Sequence, residues 1–212
     1  MQQIRLKVCG MRNADNIYAL AALEPDYMGF IFYPESKRFV ADLSPELVLN
    51  LPDTIKATGV FVNESLPVIV QAVQDFGLKA VQLHGAETPE LCESVQLQLP
   101  GIEVIKAFGI DEEFNFGLLE NYENVVDYFL FDTKTAQHGG SGESFNWEKL
   151  KQYTGQKPYF LSGGIGLEDV EAIRTLHHPA LFAVDINSRF ELEPGLKNIE
   201  QIRTFKTNLY RP

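Results

Sequence analysis

Proton-transfer chemistry near neutral pH needs groups that give and take protons, held where they can converge. Cys9, His84, Asp132 and Asp185 qualify by type and by place, because each stands at or near the C-terminal end of a short apolar run. In an extended run, side chains two apart share a face. Ile4, Leu6 and Val8 then form one face of the first run, which leaves Arg5, Lys7 and Cys9 on the other. Val81 and Leu83 stand likewise against Gln82 and His84, Asp132 follows Phe129 and Phe131, and Asp185 follows Phe182 and Val184. A thiol, an imidazole and two carboxyls at such run ends are all titratable side chains that could share a site. Lys7, on the face of Cys9, would favour the thiolate, and Gly10 opens the backbone just beyond it.

Each residue also has an ordinary role. A lone cysteine in an apolar run is usually a small core residue, which is the reading for Cys92 in its helical pattern. His84 before Gly85 suits a cap or loop, and Asp132 and Asp185 suit helix N-caps. Several polar run ends together favour a site over any of these singly.

The elements that would position them alternate along the whole chain. Strands are predicted at Ile4 to Cys9, Tyr27 to Phe32, Lys56 to Val62, Lys79 to His84, Glu103 to Phe108, Tyr128 to Asp132, Pro158 to Ser162 and Leu181 to Ile186. Helices are predicted at Asn13 to Leu23, Pro45 to Leu51, Leu66 to Phe76, Pro89 to Leu97 and Leu167 to Leu176. Pro45 after Ser44 and Pro89 after Thr88 are good helix starts. The stretch from Glu112 to Asn121 is the weakest helix, because Asn115 and Gly117 disfavour it. Eight strand–helix units predict a single-domain (β/α)₈ barrel, of the TIM type with parallel strands, over residues 1–212; a doubly wound open sheet is the structural alternative. Barrel sites lie at the C-terminal ends of the strands, so Cys9, His84, Asp132 and Asp185 would share one mouth. Ser162-Gly163-Gly164 follows the seventh strand and Asn187-Ser188 the eighth, where such barrels hold a phosphate.

Composition sets outer bounds. At 212 residues and 45% hydrophobic, the chain can bury one sizeable core. A net charge of −11 disfavours nucleic acid, while a small anion can still be held locally by backbone N–H groups. No run approaches the ~18 apolar residues of a membrane span, and the first ten residues do not read as a signal peptide, so a cytoplasmic protein is expected. Two cysteines, with no C-x-x-C pair, suggest neither a disulfide framework nor a metal site.

Together these residues resemble the phosphoribosylanthranilate isomerase family along essentially the whole chain. The resemblance lies in Lys7-Val8-Cys9-Gly10 with Arg12, Ser36 to Val40, Gly59 to Asn63, Val81 to Gly85, Phe131-Asp132, Gly139 to Gly142 with Phe145 and Trp147, Ser162 to Gly164, and Val184-Asp185 with Asn187, Ser188 and Glu191. It implies an Amadori rearrangement of N-(5-phosphoribosyl)anthranilate to 1-(2-carboxyphenylamino)-1-deoxyribulose 5-phosphate, in tryptophan biosynthesis. By that resemblance Cys9 is the general base and Asp132 the general acid, and Arg38 clamps the anthranilate carboxylate. Lys7, His84 and Asp185 line the substrate pocket, while Gly140, Gly163, Gly164, Asn187 and Ser188 approach the phosphate. No metal or organic cofactor is implied, since the protonated imine is the electron sink. The expected partner is the small phosphorylated substrate, with the chain a monomer or homodimer.

Two positions depart from the family pattern. Arg189 stands where glycine commonly follows Ser188, which would alter the turn or add a cation there, and Asn146 replaces an aspartate before Trp147, exchanging one helix cap for another. The competing readings are another sugar-phosphate barrel, such as a pentose-phosphate epimerase or indole-glycerol-phosphate synthase, and a barrel that binds a phosphorylated ligand without turnover. The epimerase would want a carboxylate and metal constellation and the synthase a catalytic lysine arrangement, neither of which is matched.

Overall fold

The computed structural model describes residues 3–133 and 146–211. Eight parallel strands pair in chain order and the first pairs with the last, so the sheet closes on itself and the open-sheet alternative falls. The strands are β1 (Arg5–Val8), β2 (Tyr27–Ile31), β3 (Lys56–Phe61), β4 (Ala80–Leu83), β5 (Glu103–Ile110), β6 (Tyr128–Thr133), β7 (Tyr159–Leu161) and β8 (Leu181–Ile186). The α-helices are α1 (Ala14–Ala21), α2 (Pro45–Leu49), α3 (Leu66–Phe76), α4 (Pro89–Gln98), α5 (Val170–Thr175) and α6 (Ile199–Leu209). Helix starts follow the sequence: Pro45, Leu66-Pro67 and Pro89 open their helices, and Thr88 accepts a hydrogen bond from the Leu91 amide.

After β5 the expected helix is a 3₁₀ turn, Phe116–Asn121, capped by Asn115. Another 3₁₀ turn, Trp147–Gln152, precedes β7, and Asn146 caps it by accepting from the Glu148 amide, as the exchange of caps predicts. A short antiparallel hairpin, β9 (Glu191–Glu193) with β10 (Leu196–Lys197), follows β8, and the sequence reading did not anticipate it.

Two-residue periodicity sorts the strands into layers. Leu6, Val8, Val81, Leu83, Phe129, Phe131 and Val184 join the core between sheet and helices. Tyr27, Ala80, Ile105, Leu130, Phe160 and Ala183 fill the barrel interior toward the N-terminal ends of the strands. There the Tyr27 hydroxyl donates to Glu103 Oε2 at 2.9 Å, Lys56 pairs with Glu103, and the Arg5 guanidinium lies 4.6 Å over the Phe182 ring. That end is packed shut, and the polar interior residues Lys7, Thr58, Gln82, Lys106 and Asp185 are buried above it. No helix among the described residues is long and apolar enough to cross a membrane.

Candidate active site

Cys9 follows the last residue of β1, and its amide donates to the Ile186 carbonyl at 2.9 Å. A Cβ on Gly29 of β2 would lie 2.7 Å from Cys9 Sγ, so glycine is what leaves room for the thiol. Lys7 and Asp185 are register partners across the β1–β8 seam and meet at 2.9 Å, Nζ to Oδ2, both buried. The Ser162 hydroxyl reaches the same Oδ2 at 3.5 Å, while Asp185 Oδ1 is buried with no protein partner among the described residues.

Burial raises the Cys9 thiol above its ordinary range, and Lys7 and Lys197 only partly offset this. Lys7 thus works toward the Cys9 thiolate, as expected, but burial outweighs it, and the same ammonium is shared with Asp185. Burial works to lower the pKa of Lys7 but is outweighed by Asp185 and Cys9, so the lysine keeps its proton. Burial lifts the Asp185 carboxyl, against the pull of Lys7. The two shifts favour opposite states of the pair; a 2.9 Å contact with an ammonium that cannot accept a proton favours the ionised form.

Asp132 lies near the end of β6 and caps no helix among the described residues. Its Oδ1 accepts from the Thr133 amide at 2.8 Å, and its Oδ2 lies 3.3 Å from His84 Nε2. The other histidine nitrogen, Nδ1, lies 2.7 Å from Gln82 Nε2, so the ring is held between Gln82 and Asp132. The loop bearing His84 is anchored by a buried pair the sequence reading did not single out. Glu87 accepts from the amides of Asn63 and Gly85, and Lys106 Nζ reaches Glu87 Oε2 at 3.1 Å. Lys106 also donates to the Gly85 and Ala107 carbonyls, at 2.8 and 2.9 Å, so this interior lysine is committed to structure.

The residues expected at the phosphate, other than Gly140, fall in the adjacent β7 and β8 loops, since Leu161 is in register with Val184. Gly163 and Gly164 both have positive φ, +94° and +62°, and a Cβ on Gly163 would lie 2.9 Å from Asp132 Oδ1. The turn thus packs directly on Asp132. Ser188 opens a 3₁₀ turn, Ser188–Phe190, and Arg189 within it pairs with Glu168 from the β7 loop, tying the two loops together. The extra cation is therefore neutralised. Asn187 Oδ1 is taken by Lys197 Nζ at 2.6 Å. Gly140 lies outside the described residues.

Arg38 is mostly buried, with its side chain 12% exposed. Its Nε donates to both carboxylate oxygens of Glu191, at 2.9 and 3.0 Å, and its Nη2 to Oε2 at 2.6 Å. Glu191 also pairs with the buried Lys197 at 2.6 Å. Burial pushes the Glu191 carboxyl up, but its bonds from Arg38 and Lys197 outweigh this and hold it below the ordinary carboxylate range. Lys197 went unread in sequence because only the hairpin brings it back to the mouth. Cys92, by contrast, is buried in α4 with its thiol pushed up by burial to about 11, in keeping with a structural role.

The chain matches, over residues 6–208, the family model described as N-(5'phosphoribosyl)anthranilate (PRA) isomerase. It is 43% identical over 209 residues to N-(5'-phosphoribosyl)anthranilate isomerase of Parabacteroides distasonis, covering 98% of this chain and 94% of that protein. The crystal structure of phosphoribosyl anthranilate isomerase from Thermotoga maritima superposes with a TM-score of 0.84 at 36% identity, covering 98% of both chains. A further isomerase of this name, 32% identical with a TM-score of 0.82 and 98% coverage of both chains, was solved with reduced 1-(o-carboxyphenylamino)-1-deoxyribulose 5-phosphate.

Proposed function

Because the chain belongs to the N-(5'-phosphoribosyl)anthranilate isomerase family, we propose that the mouth of its barrel carries out the family's reaction with Cys9 as base and Asp132 as acid. The protein is an isomerase of tryptophan biosynthesis, converting N-(5-phosphoribosyl)anthranilate to the corresponding 1-deoxyribulose 5-phosphate.

Asp132 gives a proton to the furanose oxygen as the C1–O bond breaks and the nitrogen lone pair forms a C1=N imine. Cys9, as thiolate, then takes the C2 proton, and the electron pair runs into the protonated imine to leave an enolamine. Ketonisation moves the C2 hydroxyl proton away and places one on C1, so the product is an isomer. The cationic imine lowers the cost of the thiolate beside it, which offsets the burial that keeps Cys9 protonated in the free protein. Arg38 receives the anthranilate carboxylate, and Gly163, Gly164, Ser188 and the backbone of Asn187 receive the phosphate, with Gly140 as the remaining member of that set. Lys7, His84 and Asp185 line the pocket between these ends.

The observation that carries the reading is the gathering, at one end of the barrel, of Cys9 beside the Lys7–Asp185 pair and Asp132 beside His84 and the Gly163 turn. A thiol after β1 and a carboxyl on β6, three strands away around the closed barrel, suit a reaction that moves protons at two different substrate atoms. The test is turnover: freshly generated phosphoribosylanthranilate should lose its anthranilate fluorescence faster with the protein than by spontaneous hydrolysis. Ligand binding without such a loss would leave a non-catalytic barrel. We further infer a cytoplasmic enzyme, as monomer or homodimer; a Thermotoga maritima relative described as dimeric has also yielded monomers. Sedimentation at working concentration distinguishes the two.

A further inference from the structure

We propose that Glu191 is a positioning residue for substrate recognition, holding the Arg38 guanidinium by one edge so that its other edge is presented to the anthranilate carboxylate. The proposal rests on the reading of Arg38 as the carboxylate clamp and adds what aims it.

A guanidinium carries five N–H donors in one plane. Glu191 takes the edge formed by Nε and Nη2, through contacts of 2.9, 3.0 and 2.6 Å. Among the described residues, the edge formed by Nη1 and the second hydrogen of Nη2 is left for a carboxylate approaching end-on, where two parallel bonds can form. Glu191 is therefore not a competitor for the substrate.

The carboxylate that does the holding is itself fixed. Its Oε1 also accepts from Lys197 Nζ at 2.6 Å and from the Gly195 amide at 3.1 Å. Lys197 is fully buried and distributes its remaining hydrogens to Asn187, at 2.6 Å to Oδ1 and 3.3 Å to the carbonyl. With both acceptors engaged, Lys197 is a poor rival for the incoming carboxylate and a good counter-charge for Glu191. The hairpin carrying both residues is pinned to α1: the Lys197 amide donates to Asn16 Oδ1 at 2.7 Å, and Asn16 Nδ2 donates to the Lys197 carbonyl at 2.9 Å. On the near side, Gly10 at φ +81° lets Arg38 approach, since a Cβ there would lie 2.7 Å from Arg38 Cδ and 2.8 Å from Asn187 Oδ1. Thus β1, the Arg38 loop and the hairpin meet at one guanidinium, with Glu191 as the contact that sets its angle.

The experiment compares two ligands, reduced 1-(o-carboxyphenylamino)-1-deoxyribulose 5-phosphate and the same compound built on aniline, which lacks the carboxylate. Their affinities are measured on the wild type, Arg38→Ala, Glu191→Gln and the double variant, alongside kcat and KM. Glu191→Gln should weaken the carboxylated ligand and raise KM by about tenfold or more, the loss expected when a charge-assisted contact is misaimed. It should leave the aniline ligand within about twofold and change kcat much less than KM, since Glu191 itself touches neither proposed proton-transfer group. Added to Arg38→Ala, it should cost nothing further. Equal weakening of both ligands, or a full additive loss in the double variant, would overturn the proposal while leaving Arg38 in place. If Arg38→Ala itself does not discriminate the two ligands, the clamp reading falls first and takes the proposal with it. Should Glu191→Gln fail to fold because Lys197 is uncompensated, Glu191→Gln with Lys197→Met removes that charge, and the same ligand comparison applies.

Discussion

Lys7 and Asp185 close the barrel electrostatically as well as sterically, for they are register partners across the β1–β8 seam and their side chains meet at 2.9 Å inside it. Removing one partner leaves the other's charge buried. Lys7→Met should destabilise the protein by roughly 3–5 kcal/mol, and Asp185→Asn should also destabilise it, because the Lys7 ammonium then lacks its anion. Lys7→Met with Asp185→Leu should recover most of the loss. Denaturant unfolding of the three variants checks this, and a double variant as unstable as the sum of the singles would show that the pair does not act as a unit.

Cys9→Ser should fold normally yet lose at least about 10²-fold in kcat, since a serine hydroxyl is a far poorer proton acceptor near neutrality. Cys92→Ser should be nearly silent. Burial raises the Cys9 pKa, with Lys7 only partly opposing it, so the free protein holds mostly thiol at neutral pH. The base must be deprotonated, so kcat/KM should climb as pH rises from neutrality into the alkaline range. A profile flat through that range in the wild type would remove the thiolate from the mechanism.

Asp132→Asn keeps the shape and the Thr133 contact but cannot deliver a proton, so kcat should fall by roughly 10²–10⁴-fold. Affinity for the reduced product analogue should change little. Asp132 caps no helix among the described residues, so the thermal midpoint should move only slightly. Near-normal kcat in a folded variant would pass the acid's role to His84 or Asp185.

In the proposed phosphate turn, Gly163 and Gly164 both have positive φ, and a Cβ on Gly163 would press on both Thr133 and Asp132. Gly163→Ala should therefore lower kcat as well as stability, the latter by roughly 1–3 kcal/mol. A bulky residue at Gly164 should chiefly raise KM, by removing binding shared by ground and transition states. Steady-state kinetics separate the two, and a Gly163→Ala variant changed only in KM would contradict the packing of this turn on the acid.

Local periodicity determined much of this protein. Alternation along Ile4 to Cys9, Val81 to His84 and Tyr128 to Asp132 announced which faces turn inward, and polar residues at those strand ends announced a mouth. This is legible because a strand has a two-residue period and a buried sheet tolerates few polar side chains without a reason. The weakness of the helix after β5 was legible too, in Asn115 and Gly117. Tertiary structure decided the rest. That Lys7 serves Asp185 before Cys9 depends on closure between residues 178 apart in sequence, and that Arg38 is held by Glu191 depends on a contact 153 apart. The hairpin that returns Glu191 and Lys197 to the mouth has only short strands, too brief for any pattern to declare. A sequence shows which residues prefer burial; which buried charges meet is set by the register of closure and by the balance between desolvation and pairing, and both exist only in the folded chain.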